Sequence, residues 1–372
     1  MQEIIFWSQI PDPITVPFIA AVQDSGRFAV TAAFEKELPE FRRKSGWSDL
    51  TERLNDACFL NGENWRETVD KLVREKPSAI HVVTGVGTYK TLDYAIRTAL
   101  KNGRRCFAVT ERPNVTHPVT NLLRRVRAKR QFRQIGRHLD GLFTKGRIGR
   151  EYYAGIGVPS AKLHDWMYFV DTPEVGEVDL SVKDTARIVF VGRLVPLKRV
   201  DLLLRALARV KRPFTLELMG AGDLIEEYTR LAESLGIGDK VQFLGGVPNE
   251  ETVRRLLECD LLMLPSRYDG WGAVVNEAIN AGCAVICSSE CGAQDLVIGG
   301  DIGEVFKAGD EDALVKSLNR VMTTDRLKQC KQNAFAYRDR IDPRNAVAYF
   351  ESVVCGHDPI LPAPWLDAGT KA

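Results

Sequence analysis

The sequence of 372 residues contains no run of eighteen apolar residues, so no segment reads as a bilayer-spanning helix. Its opening, Met1-Gln2-Glu3-Ile4-Ile5-Phe6-Trp7, places no basic residues ahead of a short apolar run, and a secretory leader is not expected. Cysteine is sparse. Eight scattered residues are too few for a disulfide scaffold, and the expectation is a reducing cytoplasm. The five histidines, His81, His117, His138, His164 and His357, show no metal-ligand spacing, and no zinc is expected. Gly85-Val86-Gly87-Thr88-Tyr89-Lys90-Thr91 lacks both the phosphate-loop spacing and the full dinucleotide fingerprint, and reads as a strand-to-helix turn facing a cleft. Neither half has G-x-G-x-x-G after its first strand, which disfavours a nicotinamide-dependent oxidoreductase; absence of a fluorescence change with NADH would close that reading. No short-period repeat or low-complexity tract interrupts the chain.

What is present is average globular composition, 45% hydrophobic and 27% charged, at a length that suits two domains, each with its own core. The near-neutral total hides an asymmetry. Residues 1–171 hold 27 Lys and Arg against 19 Asp and Glu, whereas residues 172–372 hold 24 against 30. A basic front half favours an anionic partner by long-range attraction.

Apolar strands alternate with helical periods in both halves. The first half sets Ile4–Trp7, Phe28–Ala32, Ala79–Val83 and Cys106–Thr110 between helices; the second sets Ala186–Val191, Thr215–Met219, Val241–Leu244, Leu261–Leu264 and Ala284–Cys287. Strands apolar throughout belong to parallel sheets covered on both faces, so the expectation is two doubly wound α/β domains. Val170-Asp171-Thr172-Pro173-Glu174-Val175-Gly176-Glu177 loses the apolar period and reads as the linker, giving domains over 1–171 and 172–344. The tail, 345–372, opens on a helical Asn345–Val354 and ends in Pro359, Pro362 and Pro364, a composition suited to crossing back onto the first domain.

Chemistry concentrates where strands of the second domain end. Strand Ile188–Val191 runs into Gly192-Arg193-Leu194-Val195-Pro196-Leu197-Lys198, and two cations at such a turn can neutralise a diphosphate. Strand Leu261–Leu264 runs into Pro265-Ser266-Arg267-Tyr268-Asp269-Gly270-Trp271-Gly272-Ala273, followed by a helix carrying Glu277. Free backbone N–H groups of that turn suit phosphate or sugar oxygens, and a carboxylate on the helix can accept both hydroxyls of a ribose.

These ordered motifs, with Ala281-Gly282-Cys283-Ala284-Val285-Ile286 beyond them, resemble a retaining glycosyltransferase of family 4 over residues 186–325. The resemblance implies the GT-B arrangement, two facing Rossmann-like doubly wound domains with a cleft between them. By the same resemblance, Arg193 and Lys198 hold the donor's diphosphate, with Gly192 at the turn. Glu277 holds the nucleotide ribose, Asp269 the sugar hydroxyls, and the amides of Gly270, Trp271, Gly272 and Ala273 complete the pocket. Fixed cations and amides would stabilise the departing diphosphate, so neither metal nor other cofactor is expected, a nucleoside diphosphate sugar being the co-substrate. Two positions depart from the pattern. Asp269 stands where the family usually has Glu, and Ala284 where it usually has Pro. Either the sugar sits differently or the acceptor class is unusual. In the amino half, Glu111 follows strand Cys106–Thr110 where the family often has His, and is a candidate catalytic or sugar-orienting carboxylate.

Other features have plainer readings. Cys283, Cys287 and Cys291 lie on or beside a buried strand and read as core. Asp310-Glu311-Asp312 directly precedes a helical period and reads as its cap. Residues 121–139 hold seven cations and no acid, with Leu122, Val126, Phe132, Ile135 and Leu139 loosely on one face. Such a helix suits an anionic membrane surface; nucleic acid is not expected, because no aromatic series accompanies the charge. The expected function is a metal-independent, retaining transfer of a sugar from a nucleoside diphosphate to a glycan or lipid-linked acceptor. The expected setting is the cytoplasm, peripheral to the inner membrane face, in bacterial surface polysaccharide synthesis. A catalytically silent nucleotide- or glycan-binding module on the same fold is the alternative, and donor hydrolysis separates the two.

Overall fold

The computed structural model describes residues 1–44, 46–114, 118–172 and 178–366, and the side chains among them except those of 44 and 118–121. Most of the expected linker, from Pro173 on, and His117 lie outside the described residues. The chain divides into two compact units. The first comprises Met1–Arg43, Ser48–Asp171 and Asp342–Pro364; the second comprises Lys44–Trp47, Thr172–Ile341 and Trp365–Ala372.

In the first unit, β1 (Gln2–Ser8), β2 (Phe28–Phe34), β3 (Ala57–Phe59), β4 (Ile80–Thr84), β5 (Cys106–Thr110), β6 (Gly141–Lys145) and β7 (Leu163–Trp166) form a parallel sheet in the order β3-β2-β1-β4-β5-β6-β7. The second unit contributes β8 (Ala186–Val191), β9 (Phe214–Met219), β10 (Val241–Gly245), β11 (Leu261–Leu264), β12 (Ala284–Ser288) and β13 (Gly303–Phe306) to a second parallel sheet, ordered β10-β9-β8-β11-β12-β13. Strand order reverses between β1 and β4 in one sheet and between β8 and β11 in the other. Crossovers leave those neighbours in opposite directions, so the carboxyl ends there stand open to a ligand.

Both sheets are covered on two faces, as their unbroken apolar strands require. One face of the first unit carries an aromatic cluster in which Phe350 lies 5.8 Å from Phe6, 5.1 Å from Phe18 and 5.6 Å from Phe143, ring centre to ring centre. Phe350 belongs to helix Pro343–Val354, started by Asp342, whose carboxylate accepts from the Arg344 amide. The tail therefore divides, unlike the single crossing segment expected from 345 on. Residues 342–364 pack in the first unit, whereas the carbonyls of Trp365 and Leu366 accept hydrogen bonds from Tyr337 and Arg340 in the second. Burial of Trp365 explains the split: a large apolar ring ends the proline-rich segment and needs its own pocket.

The basic segment is also more divided than its composition suggests. A helix spans Pro118–Gln134 and a short 3-10 turn spans Gly136–His138. Ile135 and Leu139 are buried in the first unit's core and Phe132 packs against it, but Leu122, Leu123 and Val126 are 66%, 65% and 61% exposed. Asp310 caps helix Glu311–Val321 by accepting from the Ala313 amide at 2.9 Å. No helix among the described residues is long and apolar enough to cross a membrane.

Candidate functional site

The loops after β8 and β11 flank the reversal of strand order in the second unit, and a short network ties them together. The Arg267 amide donates to the Leu197 carbonyl at 2.9 Å, joining the two motifs through the backbone. Beside that bond the Lys198 ammonium donates to an Asp269 carboxylate oxygen at 2.5 Å, and both side chains are largely buried. Asp269 is fixed from its own backbone as well. Its amide donates to the Glu290 carbonyl at 3.0 Å and its carbonyl accepts from Gly292 at 3.1 Å, so the loop after β12 grips the residue. Two residues 71 positions apart thus form one charge pair, where the sequence placed Lys198 on a diphosphate and Asp269 on a sugar.

Arg193 lies in the same loop as Lys198 but is exposed, and its guanidinium has no ion-pair partner among the described residues. The loop that carries it is shaped by glycine. Gly220 sits at φ +151°, and a Cβ there would lie 1.9 Å from the Gly192 carbonyl oxygen. The bonds from Gly192 to Met219 and from Leu194 to Ala221, 2.8 and 3.0 Å, hold the two loops at that separation. Sequence reading passed over Gly220-Ala221-Gly222. A lone G-x-G after a strand is a common turn, and only the approach of the loop after β8 gives it meaning.

The turn after β11 is similarly constrained. At Gly272, φ is +92° and a Cβ would meet Leu264 Cδ2 at 2.7 Å. Among the described residues, the amides of Gly270, Trp271, Gly272 and Ala273 donate to no backbone carbonyl. Trp271 itself is structural: its ring is buried, Nε1 donates to Asn276 at 2.8 Å, and its carbonyl accepts from the Ala293 amide at 2.8 Å. Cys291 Sγ reaches the same carbonyl at 3.0 Å, while Cys283, Cys287 and Cys291 are all fully buried.

Glu277 lies in the first turn of helix Val274–Asn280. Its carboxyl makes no ion pair among the described residues, and burial alone pushes it up to about 7. A carboxyl in that state gains most from hydroxyl donors, which restore the solvation that burial removed. Glu111 belongs to the first unit. There it accepts from the Tyr168 hydroxyl at 3.2 Å and lies 3.8 Å from the Lys145 ammonium. The structure therefore joins Lys198 to Asp269, sets Arg193 and Glu277 on the same two loop systems, and gives Glu111 different neighbours.

The chain was compared with known proteins. Residues 172–337 match the family model described as "Glycosyl transferases group 1". A GDP-mannose-dependent alpha-(1-6)-phosphatidylinositol monomannoside mannosyltransferase of Mycolicibacterium smegmatis is 30% identical over 218 residues, 54% of this chain and 57% of that protein. A Campylobacter jejuni alpha-N-acetylgalactosaminyltransferase acting on a diphospho-undecaprenol sugar is 29% identical over 44% of this chain and 45% of its own length. The chain thus spans about half the length of these curated relatives. Among solved structures, Anabaena Alr3699/HepE in complex with UDP and glucose matches with a TM-score of 0.70 at 17% identity, covering 95% of this chain and 100% of that one. WaaG, a glycosyltransferase involved in lipopolysaccharide biosynthesis, matches with a TM-score of 0.63 at 15% identity over 95% of this chain and 100% of its own. The chain has the GT-B fold of these proteins, and its carboxyl-terminal unit, over residues 172–337, carries the match to the group 1 glycosyl transferases that its motifs imply.

Proposed function

We propose that the chain is a retaining glycosyltransferase that moves a sugar from a nucleoside diphosphate to a glycan or lipid-linked acceptor without a metal ion. The observation that carries this reading is the pair of interlocked loops after β8 and β11. They collect a cation fixed by a carboxylate (Lys198 and Asp269), an exposed Arg193, turn amides that meet no backbone carbonyl and an underpartnered Glu277 at the open end of a parallel sheet. Cations and amides match a diphosphate whose negative charge grows as the sugar bond breaks. Hydroxyl donors of a ribose match Glu277. Relatives that use GDP-mannose, and a structural neighbour solved with UDP-glucose, support the donor class. The test is a thermal-shift screen of nucleoside diphosphate sugars in EDTA, followed by NMR of the product. Stabilisation by a donor and retained anomeric configuration are expected. Metal-dependent turnover or an inverted product would refute it.

The setting we propose is bacterial surface polysaccharide synthesis at an anionic membrane face. Exposed Leu122, Leu123 and Val126 sit among exposed Arg124, Arg125, Arg127, Lys129 and Arg130 on helix Pro118–Gln134. Apolar groups that enter the acyl boundary, ringed by cations that meet lipid phosphates, are what an interfacial helix requires.

A further inference from the structure

Between β8 and the helix that follows it, one residue holds a backbone conformation that its type seldom adopts. Arg199 sits at φ +55° and ψ +41°, in the left-handed region, between a 3-10 turn over Pro196–Lys198 and helix Val200–Leu207. Glycine enters that region freely and asparagine more readily than most, whereas other L residues bring Cβ against the following carbonyl oxygen. Among the described residues, Asp301 alone is a second non-glycine with a positive φ. A strained residue persists only where its surroundings over-determine it, and such residues gather at functional sites.

The surroundings here are fixed on both sides. Upstream, the Leu194 amide donates to the Ala221 carbonyl at 3.0 Å, and the Leu194 side chain is fully buried. Downstream, Val200, Leu203 and Leu204 are fully buried in the second unit's core, so the helix cannot turn to relieve residue 199. Residues 195–199 must therefore join two fixed points. With Arg199 in the right-handed region the 3-10 turn would run straight on into the helix. The left-handed residue redirects the chain instead, so that the Leu197 carbonyl meets the Arg267 amide and the Lys198 ammonium meets Asp269.

The guanidinium of Arg199 is engaged by its own helix. Nε and Nη2 donate to Oδ1 and Oδ2 of Asp201 at 3.0 and 3.2 Å, and Arg205 holds Asp201 from the next turn at 2.9 Å. A bidentate pair fixes geometry as well as contributing energy, and it offsets the backbone strain. The Arg199 carbonyl in turn accepts from the Leu202 and Leu203 amides at 3.1 and 3.3 Å, which starts the helix.

We propose that Arg199 is a positioning residue for sugar transfer: its left-handed backbone, clamped through Asp201, sets Lys198 on Asp269 and toward the departing diphosphate. The part that Lys198 plays on the diphosphate rests on the proposed function; the placing of Lys198 does not.

The test varies residue 199 by backbone preference rather than by charge, in the full chain. Hydrolysis of a panel of UDP-, GDP-, ADP- and TDP-linked hexoses supplies kcat and KM. The NMR signal of the nitrogen-labelled Lys198 ammonium, assigned with Lys198→Met, reports its pairing without turnover. Arg199→Gly and Arg199→Asn accept the left-handed region and are expected within about threefold of the parent kcat. Arg199→Val, β-branched and ill-suited to that region, is expected to lose about tenfold or more in kcat with a smaller change in KM, and to broaden the Lys198 signal. Should Arg199→Val not fold, Asp201→Asn decides. It is expected to lower kcat and broaden the signal in the parent but not in Arg199→Gly, where no strain needs the clamp. Losses in Arg199→Gly and Arg199→Asn as large as in Arg199→Val would assign the role to the charge and overturn the proposal. So would an Arg199→Val variant equal to the parent, or an Asp201→Asn effect equal in both backgrounds. If the parent hydrolyses no donor of the panel, the proposed function falls, and the order of the Lys198 signals alone upholds or overturns the positioning.

Discussion

Glu277→Gln keeps the size of the side chain and removes the charge, which isolates what the carboxylate contributes to donor binding. Hydrogen bonds to a charged group are worth about 1.5–3 kcal/mol, so the variant should bind the donor roughly 10- to 150-fold more weakly near pH 8. Burial sets a further condition, because the carboxyl is pushed up to about 7 in the free protein. If ribose hydroxyls donate to it, as proposed, they favour the ionised form, and the bound state carries a lower pKa than the free one. Binding must then release a proton, and affinity must rise with pH through 7 and level off above it. At pH 6 about a tenth of the free protein is ionised and at pH 8 about nine-tenths, so Kd should be roughly ninefold weaker at the lower pH. A nucleoside diphosphate sugar is esterified at both ends of its diphosphate, so the donor itself does not titrate there. Calorimetry in two buffers of different ionisation enthalpy should detect about half a proton released per donor at pH 7. Glu277→Gln should show neither the pH slope nor the proton release. Equal affinity of parent and variant at pH 8, or a parent Kd flat between pH 6 and 8, would refute the reasoning.

If Lys198 meets the departing diphosphate, Lys198→Ala should lower kcat by on the order of 10²-fold with a smaller change in donor KM, because its contribution grows along the reaction. The same steady-state assay run in EDTA should leave the parent active; loss of turnover with rescue by Mn²⁺ or Mg²⁺ would count against the cation-pair mechanism. Changing Arg124, Arg125, Lys129 and Arg130 to Gln should abolish sedimentation with anionic vesicles, since each cation near such a surface contributes about 1 kcal/mol. His81 is fully buried, accepts from Trp7 Nε1 at 3.0 Å, and is held down at about 4 by burial, against an ordinary 6.5. The unfolded chain therefore binds the extra proton between those values, and stability should fall as pH drops through that window, by up to about 3 kcal/mol. Urea unfolding of His81→Gln should show a shallower slope over the same range, and an unchanged slope would exclude His81 as its source.

Strands were legible where their apolar runs were long and ended in a change of chemistry. β8 passes from Ile-Val-Phe-Val into Gly192 and Arg193, and β11 from Leu-Leu-Met-Leu into Pro265 and Ser266. β3, β6, β7 and β13 were not legible: β3 has only three residues, and the other three, of four or five, carry glycine, lysine, histidine or acid inside so short a run. Composition also announced the basic helix, since seven cations without an acid need no geometry to be seen. Which of its apolar side chains turn inward depends on the chain beyond Gln134, where Ile135 and Leu139 anchor in the core and leave Leu122, Leu123 and Val126 outside. The pairing of Lys198 with Asp269 and the approach of Gly220 to Gly192 link loops that follow different strands. Such contacts are properties of strand order, which local patterns do not encode.

Lys145 was missed because it ends one of the unrecognised strands, and its meaning appears beside another buried lysine. Lys331 is 4% exposed and donates to Asp260 at 2.7 Å and to the Ser181 carbonyl at 3.0 Å. The other oxygen of Asp260 accepts from the Arg187 amide at 2.9 Å. The ammonium and carboxylate satisfy each other and their surroundings, pinning helix Thr324–Ile341 to the edge of a strand, and such a pair asks nothing of a ligand. Among the described residues Lys145 is as deeply buried without a hydrogen bond, its ammonium 3.8 Å from Glu111, and Glu277 is half-buried with a carboxyl that makes no ion pair. Lys145 ends strand β6 of the first unit, and Glu277 stands on the helix that follows β11 of the second. A folded chain retains an unsatisfied charge at a cost to stability, and that cost is recovered when a ligand supplies the missing donors or acceptors. Burial with a complete set of partners, as at Lys331, marks a structural charge, whereas the incomplete set around Glu277 is what the proposed ribose contact would complete.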